Sequence, residues 1–311
     1  SLEVTLEANP NSSESDRFHG YLKAGINRLS IGVQSFQPHY LNTLGRAHTE
    51  KEAHQAIEMA KSAGFSQFNI DLMYGLPNQS IEEAMLDLKT ALSFSPTHLS
   101  WYQLTIEPNT YFYRYPPKDL PIEDTIIEME EAGYLLLEKG DLGRYEVSAY
   151  AKEQSQARHN LNYWQFGDYL GIGAGAHSKI SFPHRVLRLI RYREPALYLK
   201  QAMAGQAVSQ GHEVARKDLA FEFALNAFRL KDGFALSDFS ARTGLPLSAI
   251  EATLAQAEQK GLIVSVGQRV MASERGFDFL NDLVELFLPP EGKSVVHPGV
   301  AEQALVIRPN Q

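Results

Sequence analysis

A strand-then-helix unit repeats through the first third of the chain, and this repeat limits the possible folds more than any other feature. Capping-box pairs, Thr49 with Glu52 and Ser80 with Glu83, predict the starts of two of the helices. Units of roughly 30 residues are typical of parallel strands joined by right-handed helical crossovers. The predicted fold class is therefore α/β with a parallel sheet. Runs rich in Val, Ile, Leu and aromatic residues predict the strands, which begin near Glu3, Arg28, Gln67 and His98.

The predicted barrel is incomplete at its start. Four strand-then-helix units are visible, whereas a βα barrel has about six to eight of them. The chain opens directly in an alternating, strand-like run from Leu2 to Glu7 and does not begin with Met. We therefore expect the chain to be a fragment of a longer protein whose barrel begins before residue 1.

Charge and cysteine content narrow the classes of function. The net charge of −8 disfavours a nucleic acid or an anionic membrane as the main partner, because phosphate binding needs clustered Lys and Arg. No apolar run is long enough to span a membrane and no signal peptide is visible, so a cytoplasmic protein is predicted. The 311 residues contain no cysteine, which excludes disulfides, thiolate metal sites and cysteine nucleophiles within this chain.

Changes in pattern divide the 311 residues into four predicted segments. Residues 1–115 form the partial βα barrel, and residues 116–205 form an extension of it. Residues 206–288 are mostly helical and form a C-terminal domain. Residues 289–311 form a polar tail with Gly and Pro, which we predict to be disordered.

The C-terminal domain has the order of elements of a winged-helix module. Such modules often bind DNA through their third helix, but the third helix here contains Glu251 and Glu258 and is not basic. The sequence therefore favours a packing or partner-binding role, with a DNA-binding regulator as the alternative. Helices are predicted over residues 214–230, 236–243, 247–260 and 277–288, with two strands over residues 262–266 and 269–272.

Polar side chains occupy the carboxyl ends of the predicted strands, where parallel βα folds bind their ligands. Arg46 follows the second strand and is the cation nearest to these ends in sequence. Carboxylates, an amide and a guanidinium together suit a zwitterion with hydroxyl groups, whose carboxylate would pair with Arg46. Alternatively, the same side chains cap helices and solvate loops. The polar residues are Glu7, Gln34, Asp71, and Thr105 or Glu107.

Neither a dinucleotide site nor a zinc site is predicted. The Gly-rich run at residues 171–176 is not followed by a helix with an acidic residue at the required distance. Its glycines are predicted to allow a tight turn and a close approach of the backbone to a ligand or a neighbouring strand. The ten His residues show no HxH or HExxH spacing. We predict that His39, His48 and His54, at the edges of helices, are solvated.

Five motifs give the sequence a resemblance to a known family. The segments LEANP, GINRLSIGVQSF, LGRAH, IDLMYGLPNQS and LTIEP resemble, in order and spacing, the radical-SAM coproporphyrinogen-oxidase-like family over most of residues 1–288. The resemblance implies a partial (β/α)6 barrel with S-adenosylmethionine in its mouth. By motif position, it implies contacts of this cofactor with Glu7, Gln34, Arg46 and Asp71, and a weaker assignment for Thr105.

The same resemblance implies a [4Fe–4S] cluster, held by a CxxxCxxC loop after the first strand of the barrel. This chain has no cysteine, and such a cluster requires thiolate ligands. The run from Glu3 to Asn9 matches the family's third strand. The resemblance therefore implies that the cluster loop precedes residue 1 in the intact protein.

A second group of motifs resembles the haem-chaperone branch of that family. It consists of HNLNYW at residues 159–164 and GDYLGIGAGAH at residues 167–177. The resemblance implies haem as bound cargo, haem-accepting apoproteins as partners, and it allows a homodimer. One alternative is an oxygen-independent coproporphyrinogen III oxidase of the same family. Another is a βα-barrel enzyme without a cluster, which would use Glu7, Asp71 and a divalent metal.

Haem contacts are predicted within and beside the HNLNYW segment. Imidazole is a common axial ligand of haem iron, which points to His159. Tyr163 and Trp164 could stack on a porphyrin face, and Arg158 could pair with a propionate. Alternatively, His159 bonds to neighbouring loops, while Tyr163 and Trp164 belong to the core.

Overall fold

The computed structural model describes residues 2–11, 16–108 and 110–289. Contacts group the chain into two compact units, of which the first ends at Ala157 and the second begins at Arg158. The predicted middle segment, residues 116–205, is therefore divided between the two units. The reason is that its first two strands hydrogen-bond to the sheet of the first unit. Residues 290–311, nearly all of the predicted tail, lie outside the described residues.

The first unit is the predicted α/β fold. Its strands are β1 (Thr5–Ala8), β2 (Arg28–Gln34), β3 (Phe68–Tyr74), β4 (His98–Gln103), β5 (Gly143–Glu146) and β6 (Ala149–Ala151). Its helices are α1 (Phe18–Lys23), α2 (Pro38–Thr43), α3 (Glu50–Ala63), α4 (Ile81–Ser93), α5 (Tyr111–Arg114) and α6 (Glu123–Lys139).

One six-stranded sheet, in the order β1-β2-β3-β4-β6-β5, organises this unit. The strands β1 to β4 are parallel neighbours in chain order, as the repeated units predicted. The hairpin of β5 and β6 then extends the sheet antiparallel to β4. The carboxyl ends of the four parallel strands consequently lie along one edge of the sheet, where the sequence places its polar residues.

The two faces of the parallel strands differ in chemistry. β2 and β3 are buried along their whole length. On one face, alternate residues are apolar and pack with α3, α4 and α6 in the main core of the unit. On the other face the alternate residues are polar, so the strands carry hydrogen-bonding groups inside the protein. The apolar set is Leu29, Ile31, Val33, Ile70, Leu72, Leu99 and Trp101. The polar set is Ser30, Asn69, Asp71, His98 and Ser100.

The helix boundaries follow the capping signals of the sequence. The Thr49 hydroxyl accepts a hydrogen bond from the Glu52 amide at 3.3 Å, and the Glu52 carboxylate accepts one from the Thr49 amide at 2.9 Å. The same reciprocal pair joins Ser80 and Glu83. Gly64 ends α3 with φ of 98°, a left-handed conformation that glycine adopts without strain. Both predicted capping boxes are confirmed.

The second unit contains two small antiparallel sheets and short helices. Its strands are β7 (His177–Phe182), β8 (Arg185–Arg191), β9 (Val208–Glu213), β10 (Phe234–Ala235), β11 (Ile263–Val266) and β12 (Arg269–Ala272). Its helices are α7 (Arg158–Trp164), α8 (Pro195–Met203), α9 (Leu219–Ala227), α10 (Leu236–Thr243), α11 (Glu251–Gln259), α12 (Glu274–Asp278) and α13 (Leu280–Glu285).

The C-terminal part keeps the winged-helix order, but its first helix, α9, covers Leu219–Ala227 rather than residues 214–230, and three further features differ from the prediction. The short strand β10 joins β12 and β11, so the wing sheet has three strands rather than two. A 3-10 turn, Leu247–Ala249, precedes α11, so the third helix begins later than predicted. The predicted helix over residues 277–288 is instead the pair α12 and α13. Among the described residues, no helix is both long and apolar enough to cross a membrane.

We predict that Gly133→Ala destabilises the first unit. A Cβ at Gly133 would lie 2.1 Å from the ring of the buried Trp101, a distance that forces the ring or α6 to move. Overpacking of this kind costs about 1–3 kcal/mol, which exceeds the gain of about 0.5–1 kcal/mol from a better helix former. Denaturant unfolding followed by circular dichroism measures the difference.

Gly20→Ala is the matched control for that experiment. Gly20 lies within α1, and a Cβ there would meet no heavy atom within 4 Å. This control should stabilise the protein by about 0.4–1 kcal/mol, because alanine reduces the entropy of the unfolded chain. Equal stabilisation by both substitutions would contradict the packing of Trp101 against α6.

Candidate functional site

A network of hydrogen bonds crosses the polar face of the first sheet. Asn69 on β3 donates to the Ser30 hydroxyl at 2.9 Å and to Oδ1 of Asp71 at 2.8 Å. Ser30 on β2 donates to Oδ2 of Asp71 at 3.1 Å. Both carboxylate oxygens of Asp71 therefore accept hydrogen bonds from side chains on the polar face of the sheet. The strand register produces this arrangement, because Ser30 pairs with Asn69 and Asp71 pairs with Ser100.

The network continues across β4 to the antiparallel hairpin. Oδ1 of Asn69 lies 2.7 Å from Nδ1 of His98, and Nε2 of His98 lies 2.8 Å from the Tyr145 hydroxyl. Since the Asn69 oxygen can only accept, Nδ1 of His98 carries the proton and Nε2 accepts from Tyr145. All three side chains are buried away from water, so each of these hydrogen bonds gives a buried polar group the partner that water cannot supply.

Burial raises the pKa of two carboxyl groups at this site. The pKa of Asp71 rises because the residue is buried, and its hydrogen bonds and the nearby Arg46 oppose the rise. The pKa of Glu7 rises to about 7, first through desolvation and second through the charge of Asp71, although part of Glu7 is open to solvent. Asp71 has the donors and the cation, so it is the member of the pair that keeps its charge, and Glu7 takes the proton more readily.

Gln34 closes β2 in an unusual backbone conformation. Its φ is 70°, in the left-handed region, and the pairing of β2 with β3 shifts register between Ile31 and Gln34. This bulge turns the side chain, whose Oε1 accepts a 2.5 Å hydrogen bond from the Tyr102 hydroxyl. Nε2 of Gln34 is buried and has no hydrogen-bond partner among the residues that the structure describes. It lies 3.1 Å from the position that a Cβ on Gly32 would take, so only glycine leaves it this room.

Two buried side chains brace the loop that follows β2. Asp87 of α4 accepts from the Ser35 hydroxyl at 2.7 Å and from the Phe36 amide at 2.9 Å. Nε2 of His48 lies 3.0 Å from the Val33 carbonyl oxygen. His48 is buried, so the prediction that it is solvated was wrong. Its pKa is lowered by burial and by Arg46, which keeps it neutral. Nothing in the sequence around Asp87 distinguishes it from a surface residue of α4.

Arg46 and Thr105 complete the predicted set. Arg46 is half-buried, and its charge opposes the rise in pKa that burial causes at Asp71 and Tyr102. Within the described part of the chain, its side chain has no hydrogen bond or ion pair. Thr105 is exposed beyond the end of β4, and its hydroxyl donates to the Gln103 carbonyl at 3.4 Å. The structure thus brings Glu7, Gln34, Arg46 and Asp71 to one edge of the sheet, with Thr105 at its exposed rim.

The HNLNYW segment forms the short helix α7 at the start of the second unit. Arg158 and His159 are exposed, and 40% of Tyr163 is accessible to solvent. Trp164 is buried, and the guanidinium of Arg229 covers its ring at 4.3 Å from the ring centre. A ring in this position belongs to the core and cannot stack on a porphyrin unless the helix rearranges. This matches the alternative that the sequence left open for Trp164.

A buried lysine holds the segment that follows α7. The Nζ atom of Lys179 donates to the Phe166 carbonyl at 3.0 Å, to Asp168 at 3.1 Å and to Ser181 at 2.9 Å. It also lies 4.0 Å from the centre of the Phe166 ring. Sequence patterns did not predict this cluster. It attaches the loop after α7 to β7.

The Gly-rich run makes the close backbone approach that its sequence predicts. Gly171 lies against β7, where a Cβ would stand 2.2 Å from the His177 carbonyl oxygen. Gly173 and Gly175 have φ of 112° and 73°. In the part of the chain that the structure describes, no group of three or more His, Asp or Glu side chains could hold a metal ion.

Comparison with known proteins identifies the class. Residues 1–90 match the radical SAM superfamily, and residues 214–279 match the HemN C-terminal domain. The coproporphyrinogen III oxidase HemN from Escherichia coli has a similar structure, with a TM-score of 0.75 and 21% identity, over 92% of this chain and 69% of that chain. At that identity the likeness concerns the fold alone. The protein therefore has the radical-SAM fold that the sequence predicts.

Curated relatives then specify the family. A protein named haem chaperone HemW from Haemophilus influenzae is 46% identical over 93% of this chain and 75% of its own length. One of the same name from Escherichia coli is 47% identical over 92% of this chain and 75% of its own length. The chain belongs to the HemW family of haem chaperones. The predicted family is confirmed, and the oxidase alternative is less supported because its structural representative is far less similar in sequence.

The strand-end residues fit one group that the superfamily implies and not the other. For S-adenosylmethionine, Gln34 offers an unpaired buried amide, Arg46 a cation and Asp71 a buried acceptor, which are partners for a carboxylate, hydroxyl groups and an ammonium. A [4Fe–4S] cluster needs cysteine thiolates. The 311 residues contain none, so this chain does not supply the ligands of a cluster.

We predict that Glu7→Gln stabilises the protein increasingly as the pH rises. The pKa of Glu7 is raised from 4.5 to about 7 in the folded state. Between these values the folded state binds more protons than the unfolded state, so the wild type loses stability as the pH rises through this window. The variant has no such loss. Its advantage in melting temperature should be absent near pH 4 and largest above pH 7.

The control is Glu153→Gln at an exposed position of the same unit. Differential scanning calorimetry from pH 4 to pH 8 measures all three proteins, and the difference for the control should stay flat. A flat difference for Glu7→Gln as well would show that the pKa of Glu7 is not raised in the folded protein.

Proposed function

We propose that this chain binds haem through its second unit and passes it to haem-accepting apoproteins, while the strand ends of the first unit bind S-adenosylmethionine. The observation that carries the proposal is the exposure of Arg158, His159 and Tyr163 on α7, in a chain of the HemW family. A helix that leaves an imidazole, a phenol ring and a guanidinium open to solvent can receive a flat, anionic, metal-containing ligand.

The three exposed side chains serve different parts of haem. His159 offers a ring nitrogen to the iron, and Arg158 offers a fork of N–H donors to a propionate. Tyr163, four residues after His159, lies on the same face of the helix. Trp164 supports the site from behind, because its ring packs under Arg229 in the core. The contacts of Arg158, His159 and Tyr163 with haem are proposals.

In the first unit, Glu7, Gln34, Arg46 and Asp71 would hold S-adenosylmethionine. This cofactor supplies radical chemistry when it is bound together with a reduced iron–sulfur cluster. Arg46 would pair with the cofactor's carboxylate, and Asp71 would accept from hydroxyl or ammonium groups. Gln34 would donate its unpaired Nε2 hydrogen atoms. Asn69 and Ser30 keep the Asp71 carboxylate in a fixed orientation.

We predict that Arg46→Ala and Asp71→Asn each weaken S-adenosylmethionine binding about ten- to a hundredfold. Each change removes a charge-assisted contact worth about 1.5–3 kcal/mol. Equilibrium dialysis with radiolabelled cofactor detects binding of this strength in all variants. Arg17→Ala, at an exposed arginine near α1, should bind like the wild type. Wild-type affinity in both site variants would show that the cofactor does not use this edge of the sheet.

We predict that His159→Ala changes the haem spectrum and lowers the affinity for haem about tenfold or more, because it removes an iron ligand. Titration with haem, followed at the Soret band, measures both quantities. His212→Ala, at another exposed histidine of the same unit, should leave both unchanged. An unaltered Soret position and affinity in folded His159→Ala would exclude His159 as a ligand.

A further inference from the structure

The segment after α7 forms one short ribbon with the start of β7. The amide of Tyr169 donates to the Lys179 carbonyl at 3.0 Å, and the amide of Lys179 donates to the Tyr169 carbonyl at 3.0 Å. Gly171 then lies directly opposite His177, as its close approach to that residue requires. Side chains two residues apart on paired strands point to the same side. Tyr169 and His177 therefore share one side of the ribbon.

This side of the ribbon is joined to the HNLNYW helix. The ring of Tyr163 meets the ring of Tyr169 edge-on, with centres 4.7 Å apart and planes at 87°. Arg188 of β8 donates to the Tyr169 hydroxyl at 3.4 Å and is anchored by Glu222 at 2.6 Å. Because Tyr163 and His159 share a face of α7, the face of the motif continues through Tyr163 and Tyr169 onto β7.

His177 ends this surface with an available imidazole. The residue is exposed, and within the described ranges no hydrogen bond or ion pair engages its ring. Partial burial and the nearby Arg188 lower its pKa, so the ring is neutral at pH 7. A neutral imidazole with an unused nitrogen is the form that binds a metal.

Arg191 of β8 supports the ribbon from its other side. It follows Ile190, which pairs with His177, so its side chain lies on the side of the sheet opposite to His177. Its Nε donates to the Gly171 carbonyl at 3.1 Å, and this bond holds the segment of Gly171 beside β7. Arg191 is therefore not part of the surface that carries Tyr169 and His177.

We propose that His177 is an axial ligand of haem iron and that Tyr163 and Tyr169 flank the porphyrin. The inference rests on the proposed function and extends its haem site from α7 to β7. It commits to an iron porphyrin because the surface combines an exposed imidazole with the edges of two aromatic rings. A ligand without a metal would make no use of the imidazole. Among the described residues, no group of three or more His, Asp or Glu side chains could hold a bare metal ion there.

The test is a haem titration of the full 311-residue chain, followed by absorbance. His177→Ala should move the Soret band and lower the affinity about tenfold or more. Added imidazole should restore the wild-type spectrum, because it can occupy the space of the deleted ring. Arg191→Gln, on the opposite side of the sheet, should change neither the Soret band nor the affinity. His184→Ala, at the exposed turn between β7 and β8, is the matched control and should change neither.

The outcomes separate this inference from the proposed function. If the wild type binds haem and His177→Ala matches it in Soret position and affinity, the inference is wrong and the proposed function stands. A loss of affinity that imidazole does not reverse also overturns the inference, because it points to a structural role. If the wild type does not bind haem, the proposed function fails for this chain and the inference fails with it. Circular dichroism confirms that each variant is folded.

Discussion

The hydrogen-bond network of Ser30, Asn69, Asp71 and His98 is the constraint on which the first unit depends. A buried polar group without a partner costs about 1–3 kcal/mol, so the three strands β2, β3 and β4, which carry these groups inward, are stable only in the register that pairs them. If one strand slipped by one residue, its polar side chains would face the helices, and its apolar side chains would face the side of the sheet that carries the hydrogen-bond network. The network thus fixes the strands relative to each other before any ligand is present.

The same register fixes the positions of the side chains at the carboxyl ends of the strands. Asp71 accepts hydrogen bonds from Ser30 and Asn69, which fix its carboxylate. The pKa of the neighbouring Glu7 is raised first by desolvation of Glu7 itself and second by the charge of Asp71. The bulge at Gln34 and the hydrogen bonds of Asp87 and His48 to the next loop then fix the Gln34 side chain. Its Oε1 accepts from Tyr102, and its Nε2 has no partner among the described residues. A site of this kind is preorganised, because its side chains need not be reordered when a ligand arrives.

The second unit follows a different principle. A buried lysine and a Gly-permitted ribbon tie the segment after α7 to β7, and these contacts are satisfied internally. The side chains proposed to meet haem lie at the surface instead. This suits a protein that must release its cargo, because an exposed ligand can be exchanged for a ligand of the acceptor without unfolding the site. A deeply enclosed site would hold the same ligand more tightly and release it more slowly.

The sequence by itself determined the α/β class, the four parallel strands, both capping boxes and the residues at the strand ends. These features depend on local periodicity, on capping chemistry and on motifs, and each of these involves residues that are close together in the sequence. Only the tertiary structure decided that His48 and Asp87 are buried braces, that Trp164 lies in the core under Arg229, and that Tyr169 connects Tyr163 to β7. Those contacts join residues that are far apart in the chain or separated by a turn, and burial depends on what packs on top. A local sequence pattern cannot show which distant residue packs against a given side chain.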